Sequence, residues 1–290
     1  MIVSASRRTD IPALYPRWLR NRLRAGFTRV PHPFRPDRIR TVDLRPPPEG
    51  DMEALVLWTR DSGPLLPDVE AWERSGLRTL WLVTITGYPR ELEPSAPPPE
   101  RALAALERLA RVVGPERIAW RYDPLIRVPA LGIDDAWHAE NFGRLARRVA
   151  PLAGRCILSL YDPYAAPRRR LAAAGLSPDT DAPWEPLARD LARVAKALGL
   201  AVQSCCDDLT RAGIPRGGCI SGELLDRLWG LGLAGRRDPG QRPGCLCAPS
   251  VDIGVYDTCT HGCLYCYATR SPGRARDLAA AHDPHGETLA

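Results

Sequence analysis

The sequence predicts an α/β fold in which a parallel sheet forms a partial or nearly closed TIM-like barrel of about seven strands. Three observations predict it: short apolar runs of strand length, amphipathic helical patterns between them, and polar residues where the strands end. The chain has 290 residues, enough for a barrel of roughly 250 residues. We expect one domain over residues 1–268 and a flexible tail over residues 269–290, where apolar residues are few.

The predicted strands are mostly β-branched and aromatic runs bounded by turn residues. They cover residues 1–6, 54–59, 79–86, 117–122, 155–161, 200–205 and 250–256. Between them, apolar residues recur at helical spacing along residues 187–198 and around Leu14, Leu103 and Leu224. Strands and helices that alternate in this way indicate a parallel sheet.

Polar side chains follow the predicted strands at their carboxyl ends, where α/β proteins place their sites. In chain order they include Arg7, Arg8, Asp10, Arg60, Thr84 and Arg121. Such residues are also ordinary at strand ends and helix caps, so their shared placement is what favours a site. Arginines in these loops indicate an anionic substrate, such as a phosphate or carboxylate, with Arg7, Arg8 and Asp10 as substrate-binding candidates.

The positive charge of the chain is scattered along it. The formal net charge is +6, and no run of five or more basic residues occurs. A solvated arginine-rich surface explains this charge more simply than a nucleic-acid interface, although nucleic acid stays open as a weak partner. We find neither an export-type N-terminus nor an apolar segment of about 18 residues, so we expect a cytoplasmic protein with no membrane partner.

Eight of the nine cysteines fall within residues 205–268, which we therefore expect to bind metal. Cys259, Cys263 and Cys266 have the spacing CxxxCxxC. Three thiolates can hold three irons of a [4Fe–4S] cluster and leave the fourth iron open to a small molecule. A zinc site completed by His261 is the alternative.

A second set of cysteines precedes the first. It comprises Cys205 or Cys206, with Cys219, Cys245 and Cys247. Four thiolates would ligate a second cluster fully, an arrangement suited to electron relay. The alternatives are a zinc site or small buried side chains. Cys156 lies inside a predicted strand and is expected to pack in the core.

A resemblance to known families rests on five segments spread over the chain. They are IVSASRRTDIPALY (2–15), LWTRD (57–61), TITGY (84–88), IAWRYDP (118–124) and DIGVYDTCTHGCLYCYA (252–268). From end to end the chain resembles a family of bacterial proteins catalogued as a domain of unknown function. Its members have a C-terminal cysteine cluster like that of radical S-adenosylmethionine (SAM) enzymes. The family's usual lysine in the second segment is Arg60 here.

The cysteine loop and residues 84–101 also resemble the spore photoproduct lyase-like radical SAM proteins. In those proteins the cysteine loop comes first in the chain, whereas here it comes near the end. The resemblance therefore implies a circularly permuted radical SAM-type core. Chain ends often lie close together in compact domains, so we expect residues 250–256 to pair in parallel beside residues 1–6.

The same resemblance implies which residues contact SAM. Arg60 and Thr84 map to positions that touch it, and an arginine can grip the SAM carboxylate bidentately. Tyr265 would lie near the adenine. Arg121 and Glu93 are weaker candidates, because each could instead form a structural ion pair.

The expected function is thus a radical SAM-type enzyme that holds one [4Fe–4S] cluster, or two. It would generate a 5′-deoxyadenosyl radical and act on an unidentified anionic or nucleic-acid-derived substrate, with electrons from an external donor such as a ferredoxin or flavodoxin. One alternative is a non-enzymatic iron–sulfur electron-transfer or redox/metal-sensing protein, favoured by the lack of a clear glycine-rich SAM motif. Another is a zinc-stapled barrel that binds nucleic acid.

Overall fold

A computed structural model describes residues 1–33 and 35–290 of the protein and shows an α/β architecture. The strands are β1 Ile2–Ala5, β2 Phe27–His32, β3 Arg35–Asp43, β4 Ala54–Thr59, β5 Thr79–Thr84, β6 Ile118–Leu125, β7 Arg155–Leu160, β8 Ala201–Ser204 and β9 Val251–Asp252. The helices are α1 Ile11–Leu14, α2 Pro16–Ala25, α3 Leu66–Arg74, α4 Pro99–Val113, α5 Asp135–Val149, α6 Ala165–Ala173, α7 Glu185–Ala197, α8 Gly222–Trp229 and α9 Pro272–Ala280. Short 3-10 helices cover Gly63–Leu65, Pro115–Arg117, Pro129–Leu131 and Thr210–Ala212.

Among the described residues, seven strands form one parallel sheet in the order β8-β7-β6-β5-β4-β1-β9. Each of the seven coincides with a predicted strand, so the predicted fold class is confirmed as a parallel α/β sheet. Closure into a barrel stays a prediction. β4 and β5 are buried at every residue, as expected for strands that are covered on both faces by helices.

The described chain forms two compact units. Unit 1 comprises Met1–Trp81, Pro89–Val113 and Ser250–Ala290, and unit 2 comprises Leu82–Tyr88 and Gly114–Pro249. Residues 1–268, expected to form one domain, contribute to both. None of the helices in the described residues combines the length and the apolar composition that a membrane crossing requires.

In unit 1, β1 pairs in parallel with β4 on one side and with β9 on the other. Val3 lies opposite Val251, and Ser4 lies opposite Asp252. The Asp252 carboxylate accepts hydrogen bonds from Ser6 Oγ at 2.6 Å and from the backbone N–H of Arg7 at 2.8 Å. The predicted parallel pairing of the two ends of the chain is therefore confirmed.

Two features of unit 1 differ from the predictions. β2 and β3 form a separate antiparallel hairpin, which was not predicted. Residues 269–290, expected to be flexible, contain α9 and are hydrogen-bonded to α2 and β2. Trp18 Nε1 donates to Gly286 O at 3.0 Å, Arg29 N donates to Glu287 O at 2.8 Å, and Leu289 is buried. This segment is thus an integral part of unit 1.

In unit 2, β6, β7 and β8 pair in parallel, with Trp120 opposite Cys156 and Cys156 opposite Val202. Cys156 is fully buried in β7, as predicted. Tyr122 OH lies 3.0 Å from His138 Nδ1, and His138 is also fully buried. Burial lowers the pKa of His138 to about 4, against a weaker opposing effect of its hydrogen bond to Ile126 O.

Candidate metal centres

The loop that carries Cys259, Cys263 and Cys266 follows β9 and is closed at its base by Asp257. The Asp257 N–H donates to Ala268 O at 3.0 Å, across the two ends of the loop. Gly262, at φ +72°, makes the turn between the first and second cysteines, a conformation that glycine adopts without steric cost. The three thiols therefore lie on one tight loop, as their spacing predicts.

Asp10 anchors this loop to the first strand of the sheet. One carboxylate oxygen, Oδ2, lies 2.8 Å from His261 Nε2 and accepts from Arg60 N at 2.8 Å, while Oδ1 accepts from Ala13 N at 3.1 Å. His261 Nδ1 lies 3.4 Å from Ser95 O. Both ring nitrogens of His261 thus lie against oxygen atoms, which does not fit a fourth zinc ligand. Asp10, predicted as a substrate-binding residue, orients the cysteine loop.

Two of the loop thiols are held in their neutral form by their surroundings. Burial raises the pKa of Cys263 to about 12, although the nearby Arg60 charge opposes the change. Burial and the neighbouring Cys266 and Cys263 raise the pKa of Cys259 further. A thiol must lose its proton to bind a metal, so metal binding here would release protons.

Arg60, Glu93 and Tyr265 form a buried group beside Cys263. Arg60 Nη1 and Nη2 donate to the two carboxylate oxygens of Glu93 at 3.0 and 2.9 Å. Arg60 Nη2 lies 2.5 Å from Tyr265 OH, which also donates to Glu93. Burial alone would lower the pKa of Arg60, but Cys263, Glu93 and Tyr265 together raise it well above its usual value. The guanidinium is therefore a permanent positive charge next to the cysteine loop.

Arg121 and Thr84 contact each other in unit 2. Arg121 Nη1 donates to Thr84 Oγ1 at 3.1 Å, and Arg121 forms an ion pair with Asp123. Asp123 also accepts a hydrogen bond from Ser159. Arg121 thus takes part in an ion pair, one of the two roles left open for it by the sequence.

Arg7 and Arg8 lie against the two sides of the β1–β9 junction. Arg7 Nη1 donates to Ser250 Oγ at 3.2 Å, and its guanidinium carbon lies 5.1 Å from the centre of the Trp58 ring. Arg8 Nη1 donates to Gly254 O at 3.2 Å and lies over Tyr256. These contacts fix both side chains where the first strand ends, which is where the substrate-binding prediction placed them.

The second cysteine set contains five thiols rather than four. We call it the five-thiol cluster: Cys205, Cys206, Cys219, Cys245 and Cys247. Cys205 Sγ lies 3.9 Å from Cys206 Sγ, so both members of the pair belong to the cluster. The sequence left open which of Cys205 and Cys206 belongs to the set, and in the structure both do.

Neither cysteine set is arranged as a preformed site for one ion. Within residues 1–33 and 35–290, no three His, Cys, Asp or Glu side chains are placed to hold a single metal ion. A single zinc ion needs every sulfur at about 2.3 Å from one point. An iron–sulfur cluster instead binds each thiolate at a different iron atom, so a wider spacing of thiols suits it.

The fold and the sites define a parallel α/β protein with two clusters of cysteine thiols. The chain belongs to the family described as Domain of unknown function (DUF1848), whose model matches residues 2–268. The match covers all nine cysteines, all nine described strands and the Arg60 group. No curated protein and no solved structure matches the chain.

Some of these site residues escaped the sequence reasoning. The role of Asp10 with His261 was missed because the two lie 251 positions apart and share no motif. Arg155, which lies against the five-thiol cluster, begins an ordinary strand and gives no signal of its own. The adjacent residues Cys205 and Cys206 could have been recognised from the sequence as two members of the set, because further cysteines follow them in the same region.

Proposed function

We propose that the protein is an iron–sulfur enzyme of the radical SAM type, with its [4Fe–4S] cluster on Cys259, Cys263 and Cys266. The observation that carries the proposal is the single loop of three thiols, with Cys263 buried, beside the Arg60–Glu93 pair. Three thiolates leave one iron of a cubane without a protein ligand. A closed four-ligand site would have no such position.

The donor set fits such a cluster. His261 is occupied by Asp10 and Ser95, which leaves thiols as the metal-binding groups of the loop. Thiolates are the ligands that iron–sulfur clusters prefer. The parallel pairing of β9 with β1 supports a permuted radical SAM-type core, because the loop then emerges at the same edge of the sheet as Arg7.

When bound and reduced, the cluster supplies an electron that cleaves SAM into methionine and a 5′-deoxyadenosyl radical. The residues of the chain position the reactants around it. Asp10 and His261 hold the loop, and Glu93 holds the guanidinium of Arg60 in place. The methionine part of SAM carries one ammonium and one carboxylate. Arg60 and Glu93 offer one charge of each complementary sign beside Cys263.

The remaining predicted contacts belong to the same proposal. Thr84 and Arg121 would contact SAM, and Tyr265 would lie near its adenine. Arg7 and Arg8 would bind an anionic or nucleic-acid-derived substrate through their guanidinium groups. A ferredoxin or flavodoxin would deliver the electron.

A second function is favoured by one observation. Both terminal nitrogens of Arg60 already donate to Glu93, and one of them also meets Tyr265. If that pair is purely structural, the loop would hold a cluster without binding SAM. The protein would then be an iron–sulfur electron-transfer or redox-sensing protein.

Anaerobic reconstitution separates the two functions. The protein is loaded with iron and sulfide, given SAM and dithionite, and assayed for 5′-deoxyadenosine by chromatography. We expect 5′-deoxyadenosine to form with the wild type and with Cys156→Ala, which removes a core thiol outside both sites. We expect none with Cys263→Ser. A fully loaded wild-type protein that forms no 5′-deoxyadenosine and shows no SAM binding would contradict the radical SAM proposal.

A further inference from the structure

The thiols of the five-thiol cluster form a closed ring of contacts. Cys205 interacts with Cys206 and with Cys219. Cys245 interacts with Cys206 and with Cys247, and Cys219 also interacts with Cys247. Each sulfur therefore has two sulfur neighbours. Free cysteine is usually a small buried hydrophobe, and a group of five thiols goes beyond what such packing requires.

Three segments of unit 2 are fixed together to make this ring. Gly217 N donates to Ser204 O at 2.9 Å, next to Cys205, and Ala248 N donates to Ile220 O at 2.8 Å, next to Cys247 and Cys219. A side chain at Gly218 would meet Leu246 O at 2.5 Å, which no real Cβ can do. Glycine at this position lets the two cysteine-bearing segments approach each other, so the thiols are already gathered in the fold.

The backbone at the cysteine pair departs from ordinary geometry. Cys205 and Cys206 follow the end of β8, in a bend that brings their sulfurs to 3.9 Å from each other. Cys206 has φ +68°, in the left-handed region that residues with a Cβ rarely adopt. The bend therefore places the Cys206 thiol within the cluster, beside that of Cys205.

A positive charge lies against the ring without a carboxylate partner. Arg155 Nη2 donates to Cys219 O at 2.7 Å, and the buried Arg155 Nε has no hydrogen-bond partner. In the part of the chain that the structure describes, no Asp or Glu forms an ion pair with Arg155. Cys219, Cys247 and Cys205 are the groups beside it that can carry negative charge. A buried cation requires such a charge nearby.

We propose that the five-thiol cluster is a second metal centre, in which thiolates of Cys205, Cys219 and Cys247 and one of Cys206 or Cys245 bind a soft metal. A divalent metal core with four thiolates keeps a net negative charge, which Arg155 balances. The metal is an iron–sulfur cluster, because a cluster binds each thiolate at a different iron atom and so suits thiols that are not placed around one point. This centre is independent of the function proposed above.

The test measures metal in a full-length background that lacks the first site. The chain with Cys259→Ser, Cys263→Ser and Cys266→Ser is purified without oxygen, and iron, sulfide and zinc are counted. We expect about four iron and four sulfide per chain, whereas about one zinc and no iron would contradict a cluster at these thiols. Adding Cys219→Ser and Cys247→Ser lowers the retained metal at least tenfold, whereas adding Cys156→Ala leaves it unchanged.

If the chain with all five serine substitutions does not fold, X-ray absorption on the chain with only the three loop cysteines replaced (the three-serine chain) still tests the proposal. A first shell made only of sulfur, with about four sulfurs per iron atom, supports the proposal. Single changes Cys206→Ser and Cys245→Ser in the same background then identify the fourth ligand, because the essential one lowers metal content. Less than about a tenth of the expected metal in the folded three-serine chain overturns the proposal, whatever the activity of the first site.

The role of Arg155 has its own measurement. Arg155→Gln removes the charge, and we expect it to lower metal retention at least threefold under a fixed chelator challenge. Arg155→Lys keeps the charge and should therefore restore most of the metal retention. If Arg155 acted only through its hydrogen bond to Cys219 O, keeping the charge would not by itself restore that retention. Equal retention in Arg155→Gln and wild type would remove Arg155 as the charge partner.

Discussion

The two cysteine sites differ in what surrounds their thiols. The loop of Cys259, Cys263 and Cys266 lies beside a buried ion pair, Arg60 with Glu93. The five-thiol cluster lies beside Arg155. Among the described residues, no carboxylate forms an ion pair with that arginine. A site with three thiols and adjacent charges of both signs is suited to bind a charged small molecule next to the metal. A site with thiols in excess is suited to enclose the metal completely. The difference resembles the general contrast between open catalytic sites and closed structural sites.

Removing one loop cysteine is the change that separates the sites most strongly. We expect Cys263→Ser to abolish the formation of 5′-deoxyadenosine, because the proposed loop cluster would lose a ligand. The iron proposed for the five-thiol cluster should remain. Iron counting and the 5′-deoxyadenosine assay on the same sample provide the check, with Cys156→Ala as the matched control. Loss of all metal from Cys263→Ser would show that the two sites are not separate.

The ion pair beside the loop should matter for stability as well as for binding. Glu93→Gln leaves Arg60 as a buried charge without its partner, which typically costs about 3–5 kcal/mol. Urea unfolding of the metal-free protein measures this loss directly. The double change Arg60→Met with Glu93→Gln removes both charges and should recover at least half of it. If both proteins are as stable as the wild type, the pair is not buried in solution.

A change of pH tests whether acid destabilises unit 2 through His138, a group outside both cysteine sites. The pKa of His138 is about 4 in the fold and 6.5 in an unfolded chain. The unfolded chain therefore binds more protons between these values, so stability is complete above pH 6.5 and falls as the pH drops towards 4. The shift corresponds to about 3 kcal/mol.

His138→Gln cannot titrate and provides the control for this effect. Between pH 7 and pH 4, the free energy of unfolding should fall in both proteins. We expect the fall to be about 3 kcal/mol smaller in His138→Gln than in the wild type. Both proteins are measured by urea unfolding in the metal-free state. Parallel pH profiles would show that His138 is not held neutral in the fold.

The smallest expected effect concerns Arg60 itself. Arg60→Ala should weaken SAM binding about ten- to a hundredfold, because a charge-assisted hydrogen bond contributes about 1.5–3 kcal/mol. Arg60→Lys retains the charge and should weaken it less. Equilibrium binding of SAM to the reconstituted proteins measures both. Equal affinity in Arg60→Ala and the wild type would exclude a contact between Arg60 and SAM.

The sheet could be predicted from the sequence because its strands are local patterns. Runs such as β4 and β5 are apolar at almost every position, and this reflects burial on both faces. The β2–β3 hairpin escaped because its strands contain prolines and many arginines and are largely exposed. Proline and charge ordinarily argue against a strand. The helix α9 and its packing were missed because residues 269–290 contain few apolar residues and gain their contacts only from distant parts of the chain.

The candidate sites were predictable to the extent that their residues are close in sequence. The spacing of Cys259, Cys263 and Cys266 located the first site, and the cysteine count located the second. The groups that surround them were not predictable, because Glu93, Asp10 and Arg155 reach the thiols only through the fold. The bidentate contact between Arg60 and Glu93 joins residues 33 positions apart. The resemblance that implied a SAM contact for Arg60 gave no indication that the Glu93 carboxylate would already bind this arginine.

Electron paramagnetic resonance of the reduced protein tests the central contrast most directly. The spectrum is recorded for the wild type and for the chain with Cys259→Ser, Cys263→Ser and Cys266→Ser, each with and without SAM. A cluster with an open iron should change its spectrum when SAM binds to that iron. We therefore expect SAM to alter the wild-type signal and to leave any signal of the three-serine chain unchanged. A wild-type cluster signal that SAM does not alter would contradict the open site on the Cys259–Cys266 loop.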